Sequence, residues 1–95
     1  MAFGLDITKE GIDSGRVPVY LPGPGAPVKV ALMALPLHPP GCCYVVNVLD
    51  IDRDGRVLTR HIRVDFNRAL ECFEEQCERA LQLWAAATMG IKLSA

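Results

Sequence analysis

Proline is absent from the second half of this 95-residue chain, since all seven prolines lie within the first 40 residues. The chain also lacks an apolar run of the roughly 20 residues that a membrane span needs, and it has no basic, apolar leader at its start. Its formal net charge is only −1, so the chain as a whole has no strong attraction for nucleic acid or acidic membranes. These absences predict a soluble, cytoplasmic protein without a membrane partner.

The composition is typical of one folded domain. Hydrophobic residues make up 51% of the chain and charged residues 22%, and 95 residues leave room for one modest core. The proline-rich part predicts an edge strand at 17–21, a loop at 22–27 and a buried strand at 28–35. Residues 1–16 form an N-terminal arm for which a short strand and an irregular segment are both compatible with the pattern.

Residues 50–55 (DIDRDG) match the first half of a calcium-binding EF-hand loop. Position 12 of that loop is His61, where the motif requires a chelating glutamate. The flanking residues are β-branched or alternate in polarity, which favours strands where an EF-hand needs helices. We therefore expect a β-hairpin with strands 43–51 and 56–64, and no metal or other cofactor. Weak calcium binding by the three carboxylates is the alternative.

The register of this hairpin depends on the length of its turn. A three-residue turn at 53–55, closed by Asp52 and Arg56, places four pairs on the more apolar, core-facing side: Tyr44 with Val64, Val46 with Ile62, Val48 with Arg60, and Asp50 with Leu58. The opposite side then pairs Val45 with Arg63, Asn47 with His61, Leu49 with Thr59, and Ile51 with Val57. A change of one residue in the turn would reverse the faces of the second strand.

An amphipathic helix is predicted over 65–89, with Asp65 as its N-cap and Gly90 at its end. Its apolar stripe consists of Phe66, Ala69, Leu70, Phe73, Cys77, Ala80, Leu81 and Trp84. The helix is long for so small a domain, and one sheet is not expected to cover all of it. Leu83, Trp84 and Met89 are therefore a candidate face for a homodimer or another partner, unless the N-terminal arm folds back over them.

No residue pattern in the chain indicates catalysis. Cys42, Cys43, Cys72 and Cys77 do not have zinc-site spacing, and we expect buried, reduced thiols with Cys42 the most exposed. His38 lies in a proline loop and His61 in a strand, and neither has a nucleophile with an orienting acid in an evident pattern. The sequence thus predicts a protein that is not an enzyme.

Charge placement provides the functional hypothesis. A candidate partner-binding surface, the basic hairpin, contains Arg53, Arg56, Arg60, His61 and Arg63, whereas Glu71, Glu74, Glu75 and Glu78 lie on the helix. Separate basic and acidic surfaces favour protein recognition. Cross-strand pairing, such as Asp50 with Arg60, is the structural alternative for these arginines.

We therefore expect an α+β fold in which a three- to four-stranded antiparallel sheet carries one long C-terminal helix on one face. The expected function is a small non-enzymatic regulator or inhibitor that binds a protein, by occlusion of a larger partner or by assembly with it. A bacterial or viral source, including a phage or mobile element, is compatible with this. A nucleic-acid-binding accessory protein that uses the hairpin is the main alternative. A small enzyme or ligand carrier with a pocket between sheet and helix is the third.

Overall fold

The described residues form one antiparallel sheet of four strands, in which neighbours in the sheet are also neighbours in the sequence. The computed structural model describes residues 7–35, 43–51 and 54–89. Its elements are α1 (Lys9–Asp13), β1 (Val19–Tyr20), β2 (Val28–Ala34), β3 (Tyr44–Asp50), β4 (Arg56–Arg63) and α2 (Phe66–Met89). The predicted α+β architecture is confirmed. Neither helix in these parts of the chain has the length and apolarity of a transmembrane segment.

Both helices pack on the same face of the sheet. One core cluster joins Ile12 of α1 and Phe73 of α2 to inward-facing residues of the two central strands. The strand residues in this cluster are Val30, Leu32, Tyr44 and Val46. Their alternation places every second residue of β2 and β3 under the helices, as the pleat of a strand requires.

Helix α1 is the element that the sequence left open. Thr8 is its N-cap, and its side-chain hydroxyl accepts a hydrogen bond from the Gly11 amide at 3.0 Å. The helix has only five residues, and it ends before Gly15, which has a φ of +100°. Ile12 is its buried residue. The helix therefore depends on packing against β2 more than on its own propensity.

Helix α2 follows its prediction closely. The Asp65 carboxylate accepts a hydrogen bond from the Arg68 amide at 3.1 Å, which confirms the predicted N-cap. Ala69, Phe73, Cys77 and Ala80 are buried along one stripe. Gly90, the predicted end of the helix, lies outside the described residues.

The predicted register of the hairpin is wrong. Asp50 pairs with Arg56, and the Gly55 amide donates to the Asp50 carbonyl at 2.9 Å, so the turn spans 51–55 and not 53–55. Asp54 and Gly55 both have positive φ, at 55° and 72°. A register shift beside Val48 and Leu49 adds a β-bulge. The longer turn and the bulge together displace every pair that the three-residue turn implied.

The corrected register changes which residues of β4 face the helices. Val45 pairs with Ile62, and Asn47 with Arg60. Ile62 and Arg60 therefore lie on the face of the sheet opposite the helices, although the predicted register placed them on the core side. His61 pairs with Val46, which belongs to the core, so His61 faces α2. The predicted core-facing side of β3 itself, with Tyr44, Val46 and Val48, is correct.

The C-terminal half of α2 is partly covered by its own chain. A Cβ atom built on Gly23 would lie 2.6 Å from the Trp84 ring, so the β1–β2 loop packs directly on the indole. The Ala26 amide donates to the Gly23 carbonyl at 3.1 Å and closes this loop. The indole thus contacts the loop at 22–27, and neither the N-terminal arm nor a second chain is needed to make that contact.

Candidate functional site

Strand β4 is the most exposed regular element of the described structure. Seven of its eight residues are exposed, and only His61 is half-buried. The strand lies at the end of the sheet order, and within 7–35, 43–51 and 54–89 no strand pairs with its outer edge. An edge strand presents N–H and C=O groups that can pair with another chain.

A groove runs between β4 and α2, on the helix side of this edge. Its volume is about 270 Å³. The residues that line it are Val28, Val48, Leu58, Thr59, His61, Gln76, Arg79, Ala80 and Leu83. Aliphatic side chains dominate the lining, and Arg79 is its permanently charged member; no carboxylate is among these described residues.

The β-bulge explains how two consecutive residues of β4 reach the groove. Thr59 pairs with Val48 and Val57 pairs with Leu49, so Leu58 is the extra residue without a direct partner in the ladder. A bulge redirects the side chain at its position. Leu58 and Thr59 consequently both line the groove, whereas strict alternation would turn one of them away.

His61 is the polar residue of the groove with the most unusual environment. Its Nε2 atom is buried and has no hydrogen-bond partner among the described groups. An unpaired buried polar atom costs about 1–3 kcal/mol. We therefore expect the imidazole to contribute less to stability than a buried side chain whose polar atoms are all hydrogen-bonded.

The arginines of the predicted basic hairpin lie on different sides of the sheet. Arg60 is on the face of the sheet opposite the helices, where its Nε donates to the Asn47 side-chain oxygen at 3.2 Å. Arg63 is the last residue of β4 and lies on the face of the sheet that carries the helices. Its Nη1 donates to the Ile62 carbonyl at 2.8 Å. Arg56 pairs with Asp50 beside the turn. Arg53 lies outside the described residues.

The predicted separation of basic and acidic surfaces is incomplete. A shallow depression of about 150 Å³ is lined by Arg63, Arg68, Glu71, Cys72 and Glu75. Acidic and basic side chains therefore adjoin at the N-terminal end of α2. Cross-strand pairing of Asp50 with an arginine, the structural alternative, does occur, but the partner is Arg56 and not Arg60, which bonds Asn47. Strand β4 itself nevertheless contains three arginines and no acidic residue.

The residues of the candidate oligomer face lie on different sides of α2. Leu83 lines the groove and is 50% exposed. Trp84 packs instead on Gly23, at a position that is about 100° further around the helix. The side chain of Met89 lies outside the described residues. Leu83 and Trp84 thus belong to two different surfaces.

The described cysteines are free, and two of them are buried. Burial raises the pKa of the Cys77 thiol to about 12, and it also raises the pKa of Cys72. Both thiols are therefore protonated near neutral pH and are poor nucleophiles. Cys43 is half-buried, while Cys42 and His38 lie outside the described residues.

A hydrogen-bonded group ties α1 to Tyr44 of β3. The Tyr44 hydroxyl donates to Asp13 Oδ1 at 2.8 Å, and Lys9 Nζ donates to Asp13 Oδ2 at 2.7 Å. The bond from Lys9 is the main cause that lowers the pKa of Asp13. Burial is the main cause that raises the pKa of Tyr44. The arrangement anchors α1, and its acid and phenol are already bonded to each other.

The sequence did not indicate the groove, because its walls come from three strands and a helix that are distant along the chain. Only His61 and Leu83 of its lining were among the candidate residues. The five-residue turn and the bulge bring Leu58 to it, and neither follows from local residue pattern. No protein-family model, curated protein or solved structure matches the chain, so its function is inferred from its own geometry.

Proposed function

We propose that this protein is a small non-enzymatic regulator or inhibitor that binds a larger protein through the β4 side of its sheet. The observation that carries the proposal is the exposure of β4, in which seven of eight residues face solvent. Ile62, Leu58 and Val57 are 53%, 48% and 37% exposed, and they lie between the arginines of the strand. Arginine and apolar side chains together are typical of the contact regions of protein interfaces.

The chain could act by blocking a surface of its partner or by assembling with it, because one side of the molecule is packed and the other is exposed. The covered side, with α1, β2 and the loop that packs on Trp84, provides a stable body. The opposite side presents the strand that a partner would contact. The free thiols of Cys43, Cys72 and Cys77 are consistent with a reducing, cytoplasmic compartment.

Nucleic-acid binding is the alternative that the arginines of β4 suggest. Phosphate binders need several cations directed at one backbone path. Arg60 and Arg63 lie on opposite faces of the sheet, and each is bonded to a group of its own chain. This geometry favours a protein partner over a phosphate backbone.

The test is affinity capture from lysate of the host cell with tagged wild-type chain and charge-reversed variants. Arg60→Glu and Arg16→Glu form a matched pair, since each replaces one exposed arginine and only the first lies on β4. We expect a specific protein to be retained by wild type and Arg16→Glu, and at least about tenfold less by Arg60→Glu, a difference of ~1.4 kcal/mol. Combining Arg56→Glu and Arg63→Glu with Arg60→Glu should abolish capture.

Two results would contradict the proposal. Equal capture by all variants would place the contact away from β4. Tight, salt-dependent binding of a mixed-sequence single-stranded oligonucleotide, lost in the triple variant, would favour the nucleic-acid function instead. Circular dichroism and urea unfolding of each variant establish that the altered chains are folded.

A further inference from the structure

We infer that the outer edge of β4 accepts an extended, acidic segment of the partner as a fifth strand, with an apolar side chain of that segment in the groove beside α2. This inference rests on the proposed protein-binding function and specifies the chemistry of its partner. Two independent features meet at this place: a strand edge that no strand among the described residues pairs with, and an apolar groove alongside it.

The edge supplies the backbone part of the recognition. Half of the N–H and C=O groups of an antiparallel edge strand point away from its neighbour. β4 is eight residues long, whereas the edge strand at the other side of the sheet, β1, has only two. Strand addition needs a run of such groups, and β4 is the edge of the described sheet that has one.

The groove supplies the side-chain part. A strand added to β4 would lie ~4.8 Å beyond it, with alternate side chains directed to the two faces of the sheet. Side chains on the helix side would meet the groove wall formed by Leu58 of β4 and Leu83 of α2. Leu83 is 50% exposed in the free chain, so an apolar residue placed against it removes further apolar surface from water.

Charge selects the composition of the segment. β4 carries Arg56, Arg60 and Arg63 without an acidic residue, and Arg79 lines the groove. Acidic residues on either side of the apolar anchor would therefore find cations on both faces of the strand, and complementary charges across an interface favour the matching partner.

The same charges disfavour a second copy of this chain as the occupant. In an antiparallel pairing of two β4 strands that uses all eight residues, Arg56 faces Arg63 twice. Like charges directly opposite each other destabilise a strand pair. An acidic segment has the opposite effect, so the partner is a different protein and not a homodimer mate.

The experiment uses a display library of random linear eight-residue peptides, selected on the whole chain. We expect enriched peptides to contain an aliphatic or aromatic residue flanked by Asp or Glu. The tightest peptide is then titrated against wild type, Leu83→Glu and Leu21→Glu. Leu83 and Leu21 are both 50% exposed, but only Leu83 lines the groove.

We expect Leu83→Glu to weaken binding of the acidic peptide by at least about tenfold, and Leu21→Glu by less than about twofold, which is under ~0.5 kcal/mol. Hydrogen exchange provides a readout of the backbone contact. Amides of 56–63 that exchange rapidly in the free chain should become protected when the peptide is present, whereas amides of β2 should not change.

Three outcomes would overturn strand addition. These are no enriched peptide, enrichment of basic or neutral peptides, or binding that leaves β4 exchange and the Leu83→Glu affinity unchanged. Dimeric elution with β4 already protected would show a second copy in its place. If a host protein is still captured in an Arg60-dependent manner, the protein-binding function survives any of these; if capture fails as well, both proposals fail.

Discussion

Strands β2 and β4 have similar lengths and belong to the same sheet, yet their surroundings are opposite. β2 lies between β1 and β3 under both helices, and Val30, Ala31 and Leu32 at its centre are buried. β4 is at the edge, with Leu58 and Ile62 about half exposed. Position in the sheet, more than apolar content, thus decides which strand forms the core and which is available for recognition.

The largest effect is expected from truncating two side chains of α2, one that packs in the core and one that lines the groove beside β4. Phe73 of α2 is fully buried against the sheet. Phe73→Ala should lower the free energy of unfolding by about 3–5 kcal/mol, the usual cost of such a cavity. Leu83→Ala, at the groove, should cost less than about 1 kcal/mol because Leu83 is already half exposed. Urea unfolding measures both. Equal losses would mean that the β4 side is core as well.

A second test addresses the loop that covers the far end of α2. Gly23→Ala would place a methyl group within 2.6 Å of the Trp84 ring, so the indole must move. We expect a loss of about 1–3 kcal/mol, the range for overpacking, and a red shift of tryptophan fluorescence. In a Trp84→Ala background the Gly23→Ala substitution should cost much less. An undiminished cost there would place its cause in the loop itself.

A third test uses the hydrogen bond that anchors α1 to β3. Tyr44→Phe removes the donor to Asp13 and should cost about 1 kcal/mol in thermal or urea unfolding. Asp13→Asn, which keeps the size of the side chain, is the companion variant. Neither substitution removes a backbone group of β3, so the pairing of Tyr44 with Arg63 and the hydrogen exchange on β4 should stay unchanged.

The same carboxylate predicts a pH dependence. The hydrogen bond from Lys9 lowers the pKa of Asp13 below 3.8, so the native state favours the ionised form. The resulting stabilisation is present above pH 3.8 and is lost as pH falls through the lower native value. Asp13→Asn should therefore flatten the unfolding free energy in this acidic window. An unchanged acid profile would mean that Asp13 is not shifted.

The smallest effect is expected at His61. His61→Leu removes a buried nitrogen without a partner among the described groups, so stability should stay the same or rise by up to about 1 kcal/mol. His61→Gln retains polar atoms and should not give this gain. A loss above about 1 kcal/mol for His61→Leu would indicate that Nε2 has a bonding partner in solution.

The elements that sequence predicted well are those determined by local signals. Asp65 begins α2 and its three- and four-residue apolar spacing defines the buried stripe, while prolines delimit β2. The register of β4 was wrong because it depends on a turn of five residues and a bulge, and both are selected by packing over the whole sheet. Helix α1 was missed because one turn and a half leaves little periodicity, although Thr8 was its available signal.

The candidate site was predictable only in part. The exposure of arginines on β4 follows from their chemistry, but their division between two faces follows from the register. The groove depends on the distance between Leu58 and Leu83, which no local pattern contains. Contact between Gly23 and Trp84 likewise joins segments far apart in the chain.

The arginines of β4 also affect the tendency of the protein to aggregate at high concentration. Without them this edge of the described sheet would present valine, leucine, threonine, histidine and isoleucine, a mostly apolar composition that favours stacking of copies into fibrils. Charged side chains on an edge strand block such stacking. Changing all three arginines to alanine should therefore increase precipitation on storage and the binding of amyloid dyes, relative to the wild-type chain.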